Sequence, residues 1–198
     1  MGNNKLTDIN DVLFDLFSRG DEEAFAEVYR SYYNDMFSYG LSLGLNRDLL
    51  RDVIHDIFYK IYLDRGKFTS TRHLKFYMLK SVRNAIYDVA KRVKNSELSD
   101  EHMSFSLKVD VLDDIIGEED REQVRLTVER LLGVLTDRQR EAIFLRYMKG
   151  LEYDEIGEML GLSPHAVRKL VSRAMGKLKE SAPEKFHLLI LCFLLFNS

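Results

Sequence analysis

The sequence predicts an all-α protein: two small helical domains joined by a flexible acidic linker, the C-terminal one a helix-turn-helix. Three observations carry this. Apolar residues recur at helical spacing along most of the chain, strand signals are scarce, and only two prolines interrupt 198 residues. Charge is segregated behind a net value of −3. Nine Lys or Arg stand against one acid, Asp88, from Arg65 to Lys94, and ten acids against Lys108 and Arg121 from Asn95 to Glu122; six basic residues against two acids then run from Ser163 to Lys185. Third, capping residues and glycines punctuate residues 135–179 into short helices. The expected divisions are domains at 1–94 and 118–182, the linker at 95–117 and an apolar tail at 183–198. Two basic stretches around an acidic spacer point to two contacts with a polyanion, and to a spacer that avoids or imitates it.

In the first domain, Asp21, Glu22 and Glu23 put acids where a helix dipole favours them. The helix they open carries Phe25, Val28, Tyr29, Tyr32, Met36 and Phe37 on its apolar side. A second helix, near Arg47–Leu63, buries Leu50, Val53, Ile54, Ile57, Phe58 and Ile61. Its other face collects Asp52, His55, Asp56 and Tyr59, an acidic and aromatic patch. One Asp/His pair without a second ligand pair is no metal site, so no metal is expected. The patch is either a solvated face or a docking surface for a basic partner. Asp64–Arg72, with Gly66 and a Thr-Ser-Thr cluster, reads as an irregular connection. A long helix then runs to about Lys94, burying Met78, Val82, Ile86, Val89 and Val93. Lys80, Asn84, Tyr87 and Lys91 line its opposite side, with Arg83 alongside. A basic face interleaved with Asn and Tyr can hold a phosphate backbone and stack on an unpaired base, and the preceding polar loop can pocket a flipped-out one. The near absence of compensating acids argues against a merely solvated helix.

The most specific pattern lies in the second domain. Thr136 and Gln139 form a capping box. A second helix starts near Glu152, carries Tyr153, Ile156 and Leu160 on one face, and stops at Gly161. Ser163 caps a third helix with Pro164 at its first position. There Val167, Leu170, Val171, Ala174 and Leu178 follow the rhythm of a buried stripe. His165, Lys169, Ser172 and Gly176 fall opposite it, flanked by Arg168 and Arg173. Such a face suits the major groove, where Arg and Lys reach guanine edges and phosphates, and Lys177 is assigned to phosphate. An ordinary surface helix would show the charges without the cap–Gly–Ser–Pro punctuation.

The remaining segments narrow the class. A single cysteine, Cys192, excludes a disulfide framework and a cysteine metal site. MGNNKLTDINDV lacks the apolar run of a signal peptide, so a cytoplasmic location is expected. The tail FHLLILCFLLF, residues 186–196, spans about 16 Å as a helix, roughly half of what a membrane crossing needs. Packing on the chain's own helices is its expected role; covering a functional surface or anchoring a partner is the alternative.

DEEAFAEVYRSYY, DVIHDIFYKIY and LKFYMLKSVRNAIYDVAKR, followed by the helix-turn-helix, stand in the order seen in the extracytoplasmic-function sigma factors of the bacterial sigma-70 superfamily. The chain resembles that family from about Asp21 to Lys179. The resemblance implies a dissociable subunit that binds core RNA polymerase and directs promoter recognition, DNA melting and transcription initiation, catalysing nothing itself. Residues 1–94 would be sigma region 2 and 118–182 region 4. Within DVIHDIFY, the implied polymerase-binding residues are Asp52, His55, Asp56, Phe58 and Tyr59. For the minus-ten element and melting they are Lys67, Thr69, Ser70 and Thr71 of the loop, with Lys80, Arg83, Asn84, Tyr87, Lys91 and Arg92 of the helix. For the minus-thirty-five element they are His165, Arg168, Lys169, Ser172, Arg173 and Lys177. The linker would thread towards the polymerase active centre. Implied partners are core RNA polymerase, promoter DNA and an anti-sigma factor, with no cofactor, small-molecule substrate or transmembrane segment. The chain departs from the family in having His55 for a common Gln, no Trp near Tyr62 and Phe76, Gly157 for a usual Ala, Glu152 at a position often capped by Ser or Thr, and Leu170 for a frequent polar residue.

Two rivals remain. A conventional helix-turn-helix regulator would bind duplex DNA without polymerase, but leaves the acidic patch and the basic helix of the first domain unexplained. An enzyme acting on nucleic acid needs clustered carboxylates or a metal set, and the dense acids lie in the linker without partners.

Overall fold

The structure, a computed structural model, describes residues 9–94, 105–106 and 130–181, with side chains to Val89 in the first stretch. The rest of the linker, the start of the second domain at 118, the apolar tail and Cys192 lie outside the described residues. Among the described residues all regular structure is helical, and they divide into two compact units, one holding 9–94 and the other 105–106 and 130–181.

Among the described residues the first unit contains four α-helices. The first, α1 (Asp11–Arg19), was not foreseen. The Asn10 carboxamide caps it by accepting from the Leu13 amide at 2.8 Å, and Gly20 ends it at φ 93°, a conformation glycine adopts without strain. Of its apolar residues only Phe17 is fully buried, stacking on Phe25 with ring centroids 6.2 Å apart. α2 (Glu22–Ser42) starts where Asp21 accepts from the Ala24 amide, and α3 (Arg47–Asp64) where Asn46 accepts from Leu49. These two helices pack closely. A Cβ on Gly40 would lie 2.3 Å from the Leu50 side chain, so α2 needs a bare backbone there. A short 3-10 turn (Arg65–Lys67) leads to α4 (Thr71–Lys94), which buries Leu74, Met78, Leu79, Val82 and Ile86.

The inward stripe of α2 is Ala24, Val28, Tyr32, Asp35, Met36 and Tyr39, rotated from the expected one. Phe25, Tyr29 and Phe37 are half-buried instead. The reason is that α1, α3 and α4 all pack on α2, so its buried surface is wider than one face.

The second unit begins its described helical residues at 130–133 and continues through α5 (Asp137–Ile143), a π-helical turn (Phe144–Met148), α6 (Tyr153–Leu160) and α7 (Pro164–Ser181). The Thr136–Gln139 capping box forms as expected. Phe105 of the linker belongs to this unit: it is 1% exposed and its ring lies 5.5 Å from that of Phe144. Arg140 ties the arrangement, donating Nε to the Phe105 carbonyl at 3.0 Å and Nη1 to the Leu132 carbonyl at 3.2 Å, while its Nη2 pairs with Asp137.

Burial of a phenylalanine of this kind is worth about 3–5 kcal/mol against alanine, through lost transfer energy and the cavity left behind. Phe105→Ala should therefore speed amide exchange across Arg140–Phe144; exchange at the wild-type rate would show that the ring contributes nothing to this core.

Candidate nucleic-acid interface

In the helix-turn-helix, the Glu155 carboxylate accepts from the Glu152 amide at 2.7 Å and opens α6. The capping role foreseen as unusual for Glu152 is thus shared with Glu155. Glu152 also accepts from Arg146 Nη1 at 2.9 Å, the same nitrogen that donates to the Leu151 carbonyl at 2.9 Å. α6 ends at Gly161 with φ 64°, and the Leu162 amide donates to the Gly157 carbonyl at 2.9 Å. Ser163 Oγ accepts from the Ala166 amide at 3.2 Å and starts α7 behind Pro164.

Val167, Val171, Ala174 and Leu178 of α7 are buried; Leu170 is half-buried. His165, Arg168, Lys169, Ser172 and Arg173 line one shallow, open groove on the outer side. Lys177 is exposed, with its ammonium 3.4 Å from Gln139 Oε1, so it leans back towards α5. The groove is basic, and its donors point at no internal acid among the described residues. That suits a polyanion approaching along the helix.

In the first unit, Lys67, Thr69 and Ser70 are exposed and Thr71 is the first residue of α4. Ser70 Oγ accepts from the His73 amide at 3.1 Å, and the Thr69 amide lies 3.4 Å from His73 Nδ1. Lys67 pairs with Asp64 at 2.5 Å, a contact open to water and readily exchanged for a phosphate. The loop hangs from Phe68, which the sequence reading overlooked. Its ring is buried edge-on to Tyr77, with centroids 5.2 Å apart, while its neighbours on both sides stay outside. On α4, Asn84 is exposed and Lys80 and Tyr87 are half-buried. Lys80 Nζ lies 5.6 Å from the centre of the Phe76 ring.

Arg83 needs correcting. It is 5% exposed and sits on the inward stripe Leu79, Val82, Arg83, Ile86, not beside the basic face. The i, i+3, i+4, i+7 spacing from Leu79 turns its stem into the core. Lys91 and Arg92 lie within α4, but their side chains are outside the described set.

On α3, Asp52, His55, Asp56 and Tyr59 are exposed together, and the face runs on to Leu63; Tyr59 is 65% and Leu63 60% exposed. Phe58 is the second correction: at 3% exposure it lies beneath the patch, 4.5 Å centroid to centroid from Tyr29. It supports the surface and does not form it. His55 Nε2 lies 3.0 Å from the Tyr29 hydroxyl, and Tyr29, Tyr33 and Phe37 form a half-exposed ladder of rings 5.4 and 5.7 Å apart. Burial first, and then the neighbouring Tyr33 phenol, raise the Tyr29 pKa above the ordinary tyrosine value. The patch therefore spans two helices, and only i, i+4 aromatic repetition in α2 could have revealed the second. Among the described residues no three His, Cys, Asp or Glu side chains converge as metal ligands, and no helix is long and apolar enough to cross a membrane.

Residues 125–178 match the family model for sigma-70, region 4. The chain is similar to the ECF RNA polymerase sigma factor ShbA of Streptomyces griseus, 39% identical over 75 residues that make up 36% of this chain and 39% of that protein. It is also similar to the RNA polymerase sigma-B factor of Bacillus subtilis, 34% identical over 79 residues, 38% of this chain and 30% of that one. The chain thus spans about two-fifths or less of the length of these relatives. Among solved structures, CnrH in complex with the cytosolic domain of CnrY is similar with a TM-score of 0.53 at 20% identity, over 91% of this chain and 98% of that one. The sigma factor RpoE in complex with the anti-sigma factor NepR from Bartonella quintana is similar with a TM-score of 0.55 at 22% identity, over 80% and 96%. Both likenesses are of fold.

A Cβ placed on Gly157 would meet the Leu162 carbonyl oxygen at 2.6 Å. Gly157→Ala gains about 1 kcal/mol of helix propensity, while overpacking against backbone costs about 1–3 kcal/mol. We expect a net loss of about 1 kcal/mol for the second unit in chemical denaturation. A stabilised variant would mean that the turn yields freely.

Proposed function

We propose that this chain, whose residues 125–178 match sigma-70, region 4, is an extracytoplasmic-function sigma factor of the sigma-70 family. In this role it binds core RNA polymerase and directs promoter recognition, DNA melting and transcription initiation. The observation that carries the reading is the groove on α7, where His165, Arg168, Lys169, Ser172 and Arg173 converge within the matched region. Arg and Lys on a helix seated in the major groove read guanine edges, and this groove reads the minus-thirty-five element.

Residues 1–94 act as region 2 and 118–182 as region 4, with 95–117 between them as the linker. The exposed Asp52, His55, Asp56 and Tyr59 dock on a basic surface of the polymerase, with Tyr29, Tyr33 and Phe37 beside them as apolar anchors. The loop Lys67–Thr71, pinned by Phe68, captures an unstacked base of the minus-ten element, and Lys80, Asn84, Tyr87, Lys91 and Arg92 follow the strand. An anti-sigma protein, like the NepR bound in one of the structural neighbours, is the regulatory partner. The chain works in the cytoplasm and catalyses nothing itself.

The test is run-off transcription from pooled genomic fragments, using bacterial core polymerase with and without the full chain. New start sites that need both components are expected. Tight binding of the chain alone to duplex DNA, without new starts, would replace this reading with a conventional helix-turn-helix regulator. Arg168→Ala should cost about 1–3 kcal/mol at promoters with a guanine under it and little elsewhere. Charge reversal of Asp52 and Asp56 to Lys should weaken polymerase binding by about tenfold or more without altering duplex binding. Equal polymerase affinity for this double variant would remove the patch from the interface.

A further inference from the structure

Arg168 differs from the other basic groups of α7 in what holds it. Its guanidinium carbon lies 5.2 Å from the centre of the Tyr153 ring, across the turn on α6. The same ring carries the Arg146 guanidinium at 4.8 Å. Two cations over one ring would repel each other, but Arg146 is already neutralised by Glu152 at 2.9 Å, and its Nη1 also donates to the Leu151 carbonyl. Arg146, in the π-helical turn, is thereby fixed to Glu152, the N-cap of the helix that supplies Tyr153. Lys169 and Arg173 have no ring contact among the described residues, and Lys177 leans on Gln139.

We infer that Tyr153 is a positioning residue for sequence readout: its ring, braced by the Arg146–Glu152 pair, holds the Arg168 guanidinium in the groove before DNA arrives. The physical reason is entropic. A free arginine must freeze its rotatable bonds on binding a guanine edge, whereas one already lying on an aromatic face has fewer to lose. Guanidinium–ring attraction supplies the restraint without consuming the N–H donors in the plane of the group, which stay available to the base. This inference rests on the DNA-reading role of α7 proposed above and adds to it a residue outside the recognition helix.

The experiment uses the full chain and a duplex selected from a random pool by wild-type protein with core polymerase. Affinity is measured for wild type, Tyr153→Leu, Tyr153→Phe, Arg168→Ala and the Tyr153→Leu/Arg168→Ala pair. Tyr153→Leu should weaken binding about two- to fivefold, the scale of an exposed cation–π contact, and Tyr153→Phe should restore it. In the double variant the Leu substitution should have no further effect, because the group it acts through is gone. Additive losses would overturn the inference, as would Arg168→Ala weakening binding while Tyr153→Leu does not. Arg168→Ala binding like wild type would instead overturn the underlying reading, and this one with it. Should Tyr153→Leu fail to fold, the ring-current shift of the Arg168 Nε–H in free wild-type protein decides: an upfield-shifted proton supports the stacked guanidinium, an unshifted one removes it.

Discussion

The second unit depends on one close approach, between the backbone of α6 at Gly157 and the turn that follows it. A Cβ at that position would be 2.6 Å from the Leu162 carbonyl oxygen. Because the two backbones can touch, the Leu162 amide closes on the Gly157 carbonyl at 2.9 Å and the chain turns within three residues, Gly161 to Ser163. The direction in which α7 leaves is set there. So is the distance that lets Arg168 of α7 lie over Tyr153 of α6. A bulkier residue at 157 would shift the turn, and everything on the outer side of α7 would shift with it. The helix-propensity penalty of a glycine, about 1 kcal/mol, is small beside that geometric requirement.

A comparable constraint operates in the first unit, where α2 is packed by three helices and so cannot keep a single polar face. Its Phe25, Tyr29, Tyr33 and Phe37 recur every four residues beside the buried stripe; Phe25 and Tyr29 meet rings of α3, and Tyr33 and Phe37 continue the ladder along α2. Phe58 fills the space beneath Tyr29 and Phe25. This stacking holds the Tyr29 hydroxyl against His55 and joins the acidic patch of α3 to an aromatic one on α2. Aromatic rings beside exposed carboxylates suit a basic protein partner and repel a nucleic acid.

Most of the helical framework was legible because caps and glycines are local signals: Asp21, Thr136, Gly161 and Ser163 each act within four residues of themselves. What failed was anything decided by a neighbour. Arg83 has the composition of the basic face and the spacing of the buried one, and tertiary packing chose the second. Phe58 was counted both in the core and at the surface, and only the position of Tyr29 resolves which. Phe105 was passed over inside a stretch whose acids marked it as a linker, yet Arg140 and Phe144 make it part of the second unit's core. Helix α1 was missed for a related reason: its apolar residues are many but only Phe17 is fully buried, so no clean stripe marks it. Among the proposed site residues, the groove of α7 was the most readable, since a helix packed on one side only keeps its wheel.

In the proposed role, the placement of charge separates the partners. Within one four-helix unit, α3 presents Asp52 and Asp56, while α4 and its leading loop present Lys67, Lys80 and Asn84. A polyanion would be repelled by the first face and drawn to the second, so one small unit can hold protein on one side and nucleic acid on another without exchanging them. The basic groove of α7 has no such acidic counterpart in its lining. Its lining residues make no ion pair among the described residues, so their charge is available to an incoming phosphate backbone. Each long-range attraction is screened beyond about 8–10 Å at physiological salt, which confines it to the partner actually seated on that face. Segregation on this scale, and not the near-neutral total of −3, determines what each part of the chain can bind.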